Sequence, residues 1–293
     1  MKITWFKKYI IILIMKYNNV LLIDSSYTSF YRFFATKTWY SMAHKDDFKV
    51  IKDLKNYNWV ENKTFIEKYE KMYLDSIKKL VGTKVFKDSF IIFARDPPQE
   101  TIWRNKETCG YKDGRQDLTE KHNFKPVFKL TYNKLIPKWT KENDNMIEIK
   151  QEEIEADDII ALSCKYVKEN FEDKNIYIVS GDEDFLQLGD DNVYFAQYRK
   201  KKVFQLSKEE AALALVKKIV EGDCSDNIPS IFKGKRVKNK KELINDPDKL
   251  KIYLNENEAI KKKFIKNQKL IDFNFIPKKY VSKFKKNAKK VIV

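Results

Sequence analysis

The stretch EIEADDIIAL, residues 153–162, places Glu153, Glu155, Asp157 and Asp158 directly before an apolar run, in a chain of formal net charge +17. Carboxylates crowded at a helix start repel and raise one another's pKa values unless a positive charge sits among them. Further acids end or follow apolar runs elsewhere: Asp24 closes VLLID, Asp96 closes SFIIFARD, and Asp182 and Asp184 follow IYIVS. An all-oxygen set of this kind, with no histidine or thiolate, suits a hard cation such as Mg²⁺ or Mn²⁺. Taken singly, each has a plainer reading. EADD is also a helix cap that suits the helix dipole, and SGDED is also a strand-to-helix turn.

What separates the readings is placement, and that depends on the elements. Residues 20–24, 89–96, 176–182 and 192–197 are short apolar runs enriched in β-branched residues, which predicts buried parallel strands. Helical stretches lie between them, notably 61–81 and 156–171. In the second, Ile160, Cys164, Val167 and Phe171 recur at steps of three and four and mark one buried face. Alternating strands and helices predict an α/β domain with a mostly parallel sheet. Such sheets bind ligands at the carboxyl ends of their strands, so Asp24, Asp96, Asp182 and Asp184 are expected at one edge, joined there by Glu155, Asp157 and Asp158. Glu153 is left as an ordinary helix-start acid.

Composition excludes several classes. At 293 residues and 43% hydrophobic, the chain has enough apolar surface for a substantial core. Three widely spaced cysteines, Cys109, Cys164 and Cys224, argue for a reducing compartment and against a disulfide framework or a cysteine zinc site. Two histidines leave little room for imidazole-based catalysis, and neither GxxxxGK nor GxGxxG is present. The run YIIILIM after Lys7 and Lys8 imitates a signal peptide but is broken by Lys16, and it is too short to span a bilayer. Residues 1–14 are alternatively an extension, with Met15 as the start. The chain is expected to be intracellular. Charge is segregated as well: residues 199–293 hold 27 Lys and Arg against 11 Asp and Glu. That block is the electrostatic footprint of a phosphate-backbone partner, although a lysine-rich composition also follows from an AT-rich genome.

In chain order, LLIDSS, FARD, GYKDGR, IEADDII, VSGDEDFLQL and EGDCSDNIP resemble the 5′-nuclease family of flap endonucleases and 5′ to 3′ exonucleases. NVYFAQYRKKKVFQL and KLIDFNFIP (269–277) are similar to the T-even bacteriophage ribonuclease H branch, which removes RNA primers from lagging strands. The resemblance implies a PIN-like, mostly parallel central sheet flanked by helices, with a helical arch and a smaller helical C-terminal region. It divides the chain into an extension (1–19), a catalytic domain (20–198) with the arch at 103–150, a helical DNA-binding domain (199–277) and a basic tail (278–293).

Carried over residue by residue, the family's metal ligands fall on Asp24, Asp96, Glu155, Asp157, Asp158, Asp182, Asp184, Asp223 and Asp226. Asp24, Asp157, Asp158 and Asp182 are expected closest to the metals, and Asp184, Asp223 and Asp226 around a second, looser one. Lys112 and Arg115 fall on basic residues at the arch base, Tyr111 on an aromatic beside them. Phe124, Phe128 and Tyr132 would belong to the arch or to a buried helix face. After DNIP the chain reads SIFKGKRVKNKK, with one glycine where relatives have a glycine-rich turn that grips duplex backbone and K⁺. Lys233, Lys235, Arg236, Lys238 and Lys240 are expected to grip phosphates by charge instead. The implied activity is two-metal phosphodiester hydrolysis, with two or more Mg²⁺ ions or Mn²⁺ in their place, about 3.5 to 4 Å apart. Flaps, nicks and RNA–DNA hybrids are the implied substrates. The chain is expected to be monomeric and away from membranes, with a sliding clamp or single-strand-binding protein as a possible recruiter. A PIN-type ribonuclease acting on single-stranded RNA and a non-catalytic branched-DNA-binding protein are the alternatives.

Overall fold

The computed structural model describes residues 14–108, 110–113, 122–233, 237 and 239–291, with side chains through Lys286. Four apolar runs form parallel strands: β1 (Asn19–Asp24), β2 (Ser89–Arg95), β4 (Asn175–Val179) and β5 (Val193–Gln197). Two further strands complete the sheet. β3 (Met146–Lys150) pairs parallel with β2, and β6 (Lys202–Phe204) pairs antiparallel with β5. The order is β3-β2-β1-β4-β5-β6. Both unforeseen strands are at edges, where one is half-exposed and the other is three residues among lysines, so neither carries a buried-strand pattern. β3 also lies within the span expected to be arch.

Strand side chains alternate between two cores, as the period of two requires. Val20, Leu22, Phe90, Ile92, Ile176 and Ile178 face one, with Ile159, Ile160, Cys164 and Val167 of helix α6 (Ala156–Asn170). Leu21, Ile23, Ile91, Phe93, Tyr177 and Val179 face the other, under α1 (Ser25–Ala43) and α2 (Lys63–Val81). Between β2 and β3 run α3 (Trp103–Glu107), α4 (Lys125–Leu130), a π-helical turn (Thr131–Leu135) and α5 (Ile136–Glu142). Beyond the sheet, α7 (Lys208–Glu221), α8 (Lys240–Asn245), α9 (Pro247–Glu256) and α10 (Glu258–Ile271) enclose a separate small core around Val220, Phe232, Leu243 and Leu254.

Two expectations for the ends change. Ile14, assigned to the extension, is fully buried in the first core. The segment expected as a basic tail forms helix α11 (Lys278–Val291), whose Tyr280 and Phe284 enter the same core beside α6. Its lysines stay outside, pairing with Glu152 and Glu169 through Lys283 and Lys285. Among the described residues no helix is long and apolar enough to cross a membrane. Phe284 is 1% exposed. Replacing it with alanine is expected to cost about 3 to 5 kcal/mol in urea unfolding, whereas Lys286→Ala, on the exposed side, is expected to change stability by less than about 0.5 kcal/mol.

Candidate active site

The acids arrive from separate elements and are oriented by neighbouring hydrogen-bond donors. Asp24 ends β1 and caps α1, accepting from the Tyr27 N–H (2.9 Å) and from the Ser180 hydroxyl (2.9 Å). Asp96 follows β2 and accepts from the Ser26 hydroxyl (2.7 Å) and the Ala156 N–H at the start of α6 (2.8 Å). Asp182, after β4, accepts from the Asp184 N–H at 2.9 Å. Asp157 sits in the first turn of α6. These four, with Glu155 and Lys112, line one cleft of about 560 Å³, with Tyr27, Phe30 and Phe128 as an aromatic wall. The cleft opens at the carboxyl ends of β1, β2 and β4, where the sheet order reverses about β1. Gly181 leaves the room Tyr27 needs: a Cβ there would lie 2.6 Å from its ring.

Their charges are poorly compensated. Burial, with Asp96 and Asp182 nearby, pushes the Asp24 carboxyl up to about 7. Burial and Asp182 push Asp157 well above the ordinary carboxylate range, against the pull of Lys112. A hard divalent cation fits this set: several carboxylate oxygens face one space, and burial together with their neighbours' charge raises two of them, a cost that a cation among them would offset.

Asp158 is placed differently from the expectation that it would lie closest to the metals. It is fully buried and turned away from the cleft, with Arg104 Nη1 and Nη2 donating to its two oxygens (2.9 and 2.8 Å) and Trp103 Nε1 adding a third bond (2.9 Å). Arg104 also donates to Glu155 (2.9 Å) and, through Nε, to the Leu270 carbonyl of α10 (2.8 Å). Glu155 is shared with Lys112, which donates to its other oxygen. Lys112 holds a left-handed backbone (φ 63°), with its N–H on the Asp226 carbonyl at 3.1 Å. That conformation is costly for lysine and persists here because both ends of the residue are tied to acids. Tyr111, expected at the nucleic acid, is 5% exposed, and its hydroxyl lies between Glu155 (3.1 Å) and Asp226 (3.0 Å).

Asp184, Asp223 and Asp226 form a second cluster, with ligand atoms all within 4.8 Å of one another. It contains its own cation, since Lys218 of α7 lies 2.7 Å from Asp184 and 2.6 Å from Asp223. Asp223 consequently stays below its ordinary value: burial pushes it up, but hydrogen bonds from Lys218 and Ser225 outweigh that. Asp184 does not follow, because burial and Asp182 outweigh Lys218 and hold it at about 7. The turn carrying Asp223 and Asp226 depends on Gly222, where φ is +74° and a Cβ would meet the Ile228 carbonyl oxygen at 2.3 Å.

Glu153 stays out of the cleft, paired with Lys106. Lys233 borders a separate pocket of about 300 Å³ with Lys263 and Lys266, and Lys240 pairs with Glu221 at 3.0 Å. Arg115, Lys235, Arg236 and Lys238 lie outside the described residues, as does Cys109. Of the other expected arch aromatics, Phe124 packs on Phe30 and Phe33, while Tyr132 bonds Ser26. Sequence reasoning missed Arg104, Lys218, Ser26 and Ser180. Arg104 had a usable signal: it is one of only six arginines among 59 basic residues, and two-pronged pairing is what arginine does and lysine does not.

A mostly parallel sheet with acids gathered over its carboxyl edge defines a resolvase-like α/β domain of the PIN type. The chain belongs to the 5′–3′ exonuclease family, whose N-terminal resolvase-like domain matches residues 19–218. Similar solved structures come from bacteriophage T5. The D15 protein co-crystallised with metal ions is 14% identical, with 93% of this chain and 99% of that one covered at a TM-score of 0.59. The D15 flap endonuclease in a pseudo-enzyme–product complex with DNA and metal ions is 16% identical, with 94% and 99% covered and a TM-score of 0.59. No curated protein matches the chain.

Two outcomes follow from the charges. In chelator, the raised carboxyls of Asp24, Asp157 and Asp184 keep protons that the unfolded chain releases near 3.8. Their contribution therefore favours the folded state at low pH and is lost as pH rises from about 4 to 7. The melting temperature of the metal-free protein is expected to fall between pH 5.5 and 7.5, and the fall to shrink in Asp24→Asn. Arg104→Ala leaves Asp158 buried without its charge partner, and is expected to cost about 3 to 5 kcal/mol in denaturant unfolding.

Proposed function

We propose that the protein is a divalent-metal-dependent 5′-nuclease, hydrolysing phosphodiester bonds at 5′ flaps, nicks or RNA–DNA hybrids in DNA replication or repair. The observation that carries this reading is the cleft itself, where Asp24, Asp96, Asp157 and Asp182 converge and burial, with acid neighbours, raises two of the four. Family membership supports it, as does the shared fold with the T5 flap endonuclease described with DNA and metal ions.

Asp24, Asp96, Asp157 and Asp182 would hold Mg²⁺ or Mn²⁺ in the cleft, and Asp184, Asp223 and Asp226 a further ion. Such ions supply an activated water and charge relief on the leaving oxygen. The protein's own groups do the rest. Lys112, which lines the cleft with its ammonium on Glu155, would offset the charge that grows on the scissile phosphate. Tyr27, Phe30 and Phe128 give the terminal nucleotide an apolar face to stack on. Lysines of the C-terminal region track the duplex backbone.

The test is a duplex with a 5′-labelled flap, incubated with Mg²⁺, Mn²⁺ or chelator. Short labelled products are expected only with metal, and are expected to vanish in Asp157→Ala combined with Asp182→Ala. Lys112→Ala is expected to lower kcat about 100-fold to 1,000-fold. Undiminished cleavage in chelator, or none with either metal, overturns the reading. Cleavage of single-stranded RNA alone would point to the PIN-type ribonuclease instead.

A further inference from the structure

We infer that Tyr132 is a positioning residue for the cleft, acting through Ser26 to set the carboxylate of Asp96. The inference rests on the reading of Asp96 as a cation ligand. Ser26 Oγ lies 2.7 Å from Asp96 Oδ2 and 2.7 Å from the Tyr132 hydroxyl. An ionised carboxylate only accepts, so the single serine proton belongs to Asp96, and the Tyr132 hydroxyl must then donate to Ser26. Without that donor the serine hydroxyl is free to rotate away from Asp96. Its other oxygen is already held by the Ala156 N–H, so the Tyr132–Ser26 pair completes the fixing of both oxygens.

Tyr132 is itself firmly held. It lies in the π-helical turn Thr131–Leu135, a wide turn of a kind often found at functional sites. The Arg95 guanidinium sits 4.5 Å from its ring centre, and Arg95 also pairs with Glu148 of β3. Thr131, at the head of the turn, bonds the Tyr69 hydroxyl at 2.8 Å. The helical segment 125–142 is thus linked to the end of β2 both by Arg95 and by this hydroxyl pair.

Mn²⁺ binding to the full chain, followed by calorimetry and by electron paramagnetic resonance, tests this. Tyr132→Phe is expected to weaken Mn²⁺ binding about threefold to tenfold, the size of one neutral hydrogen bond, Ser26→Ala at least as much, and the double variant no more than Ser26→Ala. Cleavage at limiting Mn²⁺ is expected to drop in Tyr132→Phe and to recover at high Mn²⁺, with KM for the flap duplex unchanged. Tyr69→Phe, which loosens the same turn but leaves the Tyr132–Ser26 pair in place, is expected to weaken Mn²⁺ binding less than Tyr132→Phe does. Unaltered Mn²⁺ affinity in Tyr132→Phe, additive losses in the double variant, or an equal loss in Tyr69→Phe each overturn the inference. Absence of Mn²⁺ binding by wild type would instead overturn the metal reading of the cleft.

Discussion

Carboxylates cannot crowd the edge of a sheet unless something positive stands among them, and the way this chain meets that constraint shapes the whole site. Arg104 is the main internal answer. Its guanidinium, 3% exposed, engages Asp158 by two prongs, touches Glu155, and anchors to a main-chain carbonyl of α10. A buried charge so fully hydrogen-bonded is stable where an unpaired one would not be. It also joins the start of α6, which carries Asp157, to the helical C-terminal region.

Compensation stops short of the middle. Arg104 and Lys112 neutralise the flank occupied by Asp158 and Glu155, and Lys218 neutralises Asp223. Between them, Asp24 and Asp157 face the open cleft with raised pKa values. Protein cations make the two acidic clusters unlike: in one, Lys112 is tied to Glu155 at the flank, and in the other Lys218 stands between two of the acids. The difference follows from what each lysine pairs with, since Lys218 of α7 bonds Asp184 and Asp223 directly whereas Lys112 is paired with Glu155.

Much of this was legible in the chain. Four strands could be read because buried parallel strands are continuous apolar runs, and an acid at the end of such a run must emerge at the carboxyl edge. The edge strands β3 and β6 were not legible, because half-exposed short strands have no distinctive pattern. Asp223 and Asp226 came only from resemblance, since an acidic turn is usually just a turn. Asp158 shows the limit most clearly. Adjacent to Asp157 in sequence, it points elsewhere, because successive helix residues are rotated by about 100°, and on its side stands an arginine 54 positions away.

The sequence by itself determined the α/β alternation, the gathering of acids at one edge and the basic character of the C-terminal third, because periodicity and charge order are local properties. Tertiary structure alone decided which acids face the cleft and which are absorbed by Arg104 and Lys218. It also buried Tyr111 and docked α11 on the core. The Arg104 and Tyr111 contacts join residues 44 to 166 positions apart, and the energy of a buried charge is set by its neighbours in space rather than along the chain.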